Sequence, residues 1–178
     1  MKKFIALALA AILAMAAFTA CGGDDSSSQS QSSEKPAYDV AAIHKTIEDA
    51  NPIRMSKAID DTYMEYLSTI SSLTTDMYDA YSGSYCPVSP GVDIILVVQA
   101  KADMAEDVAA ALTEVKDSIY AANENYVGAL KDKAEAGRVV TKGDYVVLVI
   151  AGDETVVEDE GVEKAYEPVD AAIDEAFK

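Results

Sequence analysis

The chain is predicted to be α+β: a small, mostly antiparallel sheet, made of one long strand plus a C-terminal β-hairpin, covered by a long helix and by N- and C-terminal helices. Three observations lead there. Residues 92–100 and 145–151 are near-continuous apolar runs without alternation, so both strands must be covered on two faces. Lys142-Gly143-Asp144, between residues 138–141 and the second run, is a short hairpin connection with a glycine available for positive φ. Between the first run and the hairpin, apolar residues recur every three or four positions, the period of a helix packed on a core.

The chain opens with Lys2 and Lys3, an apolar run from Phe4 to Phe18, then Thr19-Ala20-Cys21. A basic start, a short apolar segment and small residues before a cleavage point read as a signal peptide over residues 1–20, too short for a spanning helix. Phe18-Thr19-Ala20-Cys21 resembles a lipobox, which implies that Cys21 carries the lipid and becomes the new amino terminus. Each buried methylene of such chains contributes about 0.8 kcal/mol, so two or three acyl groups anchor stably. The expected address is the extracytoplasmic face of the cell membrane. Residues 22–37, dominated by Ser, Gln, Gly and Asp, are too polar to bury a core and read as a disordered tether. Its reach is roughly 20–24 Å. Cys21 and the tether thus occupy residues 21–37, and residues 38–178 form a single α+β domain.

Within that domain, Asp39 precedes the stripe Val40, Ile43, Ile47 and Ala50, a helix with its cap in front and Asn51-Pro52 behind. A second stripe, Ile59, Tyr63, Leu67 and Ile70, continues through Leu73, Met77 and Tyr81. Ser71, Ser72, Thr74 and Thr75 interrupt it, so two short helices broken near 71–75 are expected. Gly83 to Pro90 reads as loop. After the first strand, Asp103 and Glu106 form an Asp version of the capping box. The helix it opens carries Val108, Leu112, Val115, Ile119, Ala122, Tyr126 and Leu130 on one face and stops at Gly137. At about 1.5 Å per residue it would reach roughly 50 Å, longer than the sheet, so a break is expected near Asn123 and Asn125 or at Gly128. Val169, Ala172, Ile173, Ala176 and Phe177 mark the C-terminal helix, with Pro168 in its first turn. The long helix is assigned to one face of the sheet; the N-terminal helices and the C-terminal segment are assigned to the other.

Cleavage after residue 20 removes two lysines and no acid, taking the formal charge from −17 to −19. Such a surface repels phosphates and excludes nucleic acid as a partner; a protein or cell-wall partner stays open. With Cys21 acylated, Cys86 has no partner for a disulfide. Cys86 and the single histidine, His44, would make a nucleophile pair only if the fold joined them with a third, orienting group. A half-buried thiol and a surface histidine are expected instead. Nucleotide loops, zinc pairs, nucleophile elbows and calcium loops are absent from the sequence, so no catalytic residue, metal ligand or cofactor is assigned. Asp153, Glu154, Glu158, Asp159 and Glu160 cluster after the last strand without the glycine-containing alternation of a dedicated cation site. Tyr63, Tyr66, Tyr78, Tyr81 and Tyr85 offer stacking faces with polar tips, suited to sugar or peptide recognition, but are expected to seal the rim of the core.

Taken in order, the lipobox, the serine-rich tether, Ala50-Asn51-Pro52, the apolar strand before a long acidic helix, and the hairpin from Val139 to Ile150 resemble the domain of unknown function 4358 of small lipoproteins from Gram-positive bacteria. The resemblance covers about residues 39–152 and is sharpest at Lys142-Gly143-Asp144-Tyr145. The segment 83–91, with Cys86, departs from the family's pattern, and the acidic tail from Glu154 is longer. The resemblance implies a fold and a location and no catalytic residues. The expected function is a membrane-anchored, non-catalytic binding or interaction module. The alternative, a carboxylate-based or metal-dependent cell-envelope hydrolase, requires two acids from separate segments to converge in one pocket.

Overall fold

A computed structural model describes residues 37–125 and 128–178. Cys21, the signal peptide, the tether up to Pro36 and Tyr126 lie outside the described residues.

Helix α1 (Val40–Ala50) begins where Asp39 accepts a hydrogen bond from the Ala41 amide, and buries Ile43 and Ile47. These two side chains contribute about 1.5–3 kcal/mol each. A two-residue strand, β1 (Lys57–Ala58), leads into α2 (Asp61–Ile70), capped by Asp60 on the Tyr63 amide. The next element corrects the expectation of a second short helix: Tyr78–Tyr85 is a strand, β2, and takes in Gly83 to Tyr85 from the expected loop. Strand β3 (Ile94–Ala100) follows, then α3 (Ala105–Ala122) and α4 (Ala129–Ala136), separated where the break was expected. The capping box does not form. Asp103 sits at φ 64° in a turn closed by the Met104 amide on the Lys101 carbonyl, so α3 starts after Met104 without a side-chain cap.

Strands β4 (Arg138–Lys142) and β5 (Tyr145–Ile150) form the hairpin, with Gly143 at φ 64° in its turn. Two helices complete the chain. Helix α5 (Glu154–Glu160) is an addition to the expected elements; α6 (Val162–Ala176) fills the C-terminal segment from Val162, which places Pro168 inside it rather than in its first turn.

The sheet has five antiparallel strands in the order β1-β2-β3-β5-β4. Strand β5 is buried throughout and β3 at every residue but Gln99, as continuous apolar runs require. Even residues of β3 and β5, such as Leu96, Val98, Leu148 and Ile150, face Met64 and Leu67 of α2 and Leu112 and Val115 of α3. Odd residues such as Ile95, Val97, Val147 and Val149 face Ile43 and Ile47 of α1 and Val169 and Ile173 of α6. Helix α2 therefore shares a face with the long helix rather than with α1, a second correction. Glycine is needed at position 83, where a Cβ would stand 2.5 Å from the Ile95 carbonyl oxygen and 2.8 Å from Ile59 Cδ1.

Candidate functional site

The loop between β2 and β3 and the loop between α1 and β1 lie at the same end of the sheet, where Tyr85, Ile94 and Ile150 terminate or begin their strands. Two neighbouring clefts, each of about 340 Å³, open there and share Cys86, Gly91 and Asp93. One is lined by Tyr63, Tyr66, Ile119 and Asn123; the other by Arg54, Val88, Leu130 and Glu154. Among the described residues, the large apolar side chains that remain exposed gather at this end. Tyr66 (51 % exposed) lines the first cleft, Val88 (36 %) the second, and Met55 (63 %) follows Arg54.

Below the second cleft, Lys133 of α4 is 1 % exposed. Its Nζ donates to Asp93 Oδ1 at 2.7 Å, to Glu154 Oε1 at 3.2 Å and to the Gly152 carbonyl at 3.4 Å. All three ammonium hydrogens have an acceptor, which is what a buried lysine requires. Tyr166 adds its hydroxyl to the Lys133 carbonyl at 2.8 Å, and burial pushes that phenol's pKa up. Sequence reasoning missed this cluster. Its one signal was an aspartate, Asp93, at the head of an apolar run.

Tyr63 and Tyr85 stack with ring centroids 3.9 Å apart, Tyr66 tilts against Tyr63 at 5.7 Å, and Lys57 lies over the Tyr85 ring. Burial raises the Tyr63 pKa. The expected rim of tyrosines is therefore present, split between α2 and β2. Tyr78 and Tyr81 meet edge to face, and desolvation, with the hydrogen bond to Asp61, pushes the Tyr81 phenol up to about 12.

The Cys86 thiol is half-buried, as expected, and points to the Val88 carbonyl at 3.8 Å. His44 corrects the expectation of a surface histidine. Its side chain is 13 % exposed between α1 and β2, with Nδ1 3.1 Å from Ser82 Oγ and Nε2 3.0 Å from Ser84 Oγ. Ser84 donates its only hydroxyl hydrogen to Glu48 Oε1 at 2.7 Å, so its oxygen accepts from Nε2–H and Nδ1 is left as acceptor for Ser82. With a neutral imidazole the result is a one-way relay, Ser82 to His44 to Ser84 to Glu48. Desolvation lowers the His44 pKa below 6.5, against the opposing pull of Glu48. His44 is held by Ser82 and Ser84 and the Cys86 thiol by the Val88 carbonyl, so the two do not form a hydrogen-bonded nucleophile pair.

The acidic cluster after the last strand is α5 and its cap: Asp153 accepts from the Thr155 and Val156 amides, which hold its carboxyl below the usual range. Glu154 turns inward to Lys133. Among the described residues no three of His, Cys, Asp and Glu are grouped as ligands of one metal ion. Among them, too, no helix is long and apolar enough to cross a membrane.

An antiparallel α+β sheet with helices on both faces, a buried lysine below two adjoining clefts and an apolar rim defines a class by architecture rather than by chemistry. The chain belongs to the family of the domain of unknown function (DUF4358), whose model matches residues 48–151. The match includes Cys86, Asp93 and Lys133 and stops short of His44 and Glu154. No curated protein and no solved structure matches the chain.

Proposed function

We propose that the protein is a membrane-anchored extracytoplasmic lipoprotein, acylated on Cys21, whose α+β domain is a non-catalytic module that binds a protein or cell-wall partner. One observation carries the binding part: Met55, Tyr66 and Val88 stand exposed around two adjoining clefts at one end of the sheet. A soluble surface that gathers its exposed large apolar side chains at a concave site has the composition of an interface core. The two carboxylates that line the second cleft are held by a buried cation, since Lys133 takes up Asp93 and Glu154.

The anchor rests on the lipobox-like residues before Cys21. Mass spectrometry of the membrane-extracted protein tests it, with an acylated amino-terminal Cys21 expected and an unmodified one refuting it. Photo-crosslinkers at Met55 and Val88 on intact cells test the binding part. A discrete adduct at these positions and none from Lys178 supports it; equal labelling from all three removes it.

The alternative hydrolase has one point in its favour, the convergence of Asp93 and Glu154 from separate segments on one cleft. Lys133 stands between the two carboxylates and draws them off the acid–base role. Turnover of cell-wall fragments that disappears in Glu154→Gln would favour this second reading over the first.

A further inference from the structure

The domain is polarised along its strands. At one pole the chain enters from the amino-terminal side: the Tyr38 amide donates to the Tyr145 hydroxyl at 2.8 Å, and the Tyr38 hydroxyl donates to the Phe177 carbonyl at 3.0 Å. Tyr145 begins β5 next to the Gly143 turn, so this pole is the hairpin-turn end of the sheet. The opposite pole carries the clefts and the exposed Met55, Tyr66 and Val88. Seven residues of β3 separate the two, roughly 23 Å at about 3.3 Å per residue.

The far pole also carries two exposed cations outside any ion pair among the described residues. In a protein of formal charge −17, several cations elsewhere sit against carboxylates: Lys142 lies 3.0 Å from Asp174, and Arg138 3.1 Å from Asp170, while Lys101 reaches the Thr75 carbonyl and Lys131 lies over the Tyr120 ring. Arg54 and Lys57 make no ion pair among the described residues; both are exposed, and Lys57 rests over the Tyr85 ring. They flank Met55, whose backbone adopts φ 53° at the turn of this loop. An exposed apolar side chain is thus bracketed by two cations outside any such ion pair, beside clefts whose lining joins Tyr66, Val88 and Leu130 to the carboxylates of Asp93 and Glu154, both already paired with Lys133.

We infer that this pole docks a protein segment carrying an apolar anchor flanked by carboxylates. The inference rests on the binding-module reading and deepens it. The apolar anchor fits the clefts and the exposed Met55 and Val88, and its carboxylates fit Arg54 and Lys57. A polyanionic polymer would satisfy the cations and leave the apolar rim in water. A basic partner would meet attraction over the remainder of the surface and repulsion at this pole.

The test uses the full, mature chain in nanodiscs of phosphatidylcholine and a fluorescent peptide, Glu-Leu-Glu-Phe-Glu-Leu. Saturable binding is expected, weakened at least tenfold in the Arg54→Glu/Lys57→Glu double variant and by Met55→Ser, and unchanged by Lys142→Glu at the other pole. These are exposed positions, so the fold should tolerate the changes, which circular dichroism checks. Absence of saturable binding, indifference to the double variant, or tighter binding of Lys-Leu-Lys-Phe-Lys-Leu overturns the inference. A fluorophore at Met55→Cys in a Cys86→Ser background, quenched by nitroxide lipids in phosphatidylglycerol discs, would assign the pole to the bilayer instead and also overturn it. Failure of the chain to enter any disc would remove the anchor reading alone, since the same peptide titration can then be read in free solution.

Discussion

Two polar clusters, one buried and one half-buried, tie helices to the sheet by opposite means. Lys133 and Asp93, with Glu154, fasten α4 to the start of β3 through an ion pair; His44, Ser82, Ser84 and Glu48 fasten α1 to β2 through a relay built on a neutral ring. The difference teaches how each would fail. A buried ion pair is matched only while both charges are present, and removing one leaves the other stranded in a poor solvent for it. A relay of hydroxyls around a neutral imidazole loses single hydrogen bonds, each of modest net worth.

The sharpest way to break the comparison is Lys133→Met. It leaves the Asp93 carboxylate buried without a counter-charge, and a loss of about 3–5 kcal/mol is expected in urea unfolding. The Lys133→Met/Asp93→Leu double variant, with neither charge, should recover most of that loss. A single variant less than 1 kcal/mol below the parent, by the scale of surface substitutions, would mean that the pair is not sealed from water.

His44→Leu is expected to be milder, about 1–2 kcal/mol, because it strips hydrogen bonds from Ser82 and Ser84 without stranding a charge. A loss as large as that of Lys133→Met would erase the distinction between the clusters. The relay also predicts a pH dependence that can be assigned to one residue. The unfolded chain takes up the imidazole proton at 6.5 and the folded chain only at lower pH, so it is the unfolded state that binds more protons in that window. Stability should fall as pH drops through 6.5 and stop falling, as far as this residue is concerned, below the lowered folded value. His44→Gln should remove that component, so the gap between the urea midpoints of variant and parent should change between pH 7.5 and 5.5. A gap that stays constant would show that His44 titrates alike in both states.

How much of this was readable beforehand depended on whether a pattern had one physical origin or two. Continuous apolar runs have one, burial on both faces, and β3 and β5 were legible from them. The break between α3 and α4 was legible because a longer rod would overrun the sheet. Strand β2 was not. Leu73, Met77 and Tyr81 fall at spacings of four and continue a helical stripe, yet Tyr78–Tyr85 is a strand, and a register irregularity between Tyr78 and Ala80 puts an extra residue into it. That bulge carries Tyr78 and Tyr81 to the same face, where their rings meet at 5.9 Å, and a helix-like spacing results from a strand. The Lys133 and His44 clusters were illegible for a different reason. Each joins residues some 40 positions apart, Asp93 with Lys133 and His44 with Ser84, and pairing at that range leaves no periodic trace. The tyrosine rim and the half-buried thiol could be read locally because they depend on their immediate neighbours.

The smallest expected effect is that of Cys86→Ser, which sharpens the comparison by supplying a polar contact outside both clusters. The thiol lines two adjoining clefts, half-buried, with one weak contact to the Val88 carbonyl. A serine hydroxyl is smaller, and it can donate to the same carbonyl or to water in the cleft, so neither a cavity in the core nor an unsatisfied polar group results. The change should stay within about 0.5 kcal/mol of the parent, with the urea slope unaltered. A loss of several kcal/mol would mean that the loop carrying Val88 and Pro90 is held by the sulfur. In that case Gly91, where a Cβ would lie 2.9 Å from the same sulfur, would belong to the fold's support rather than to the wall of a binding cleft.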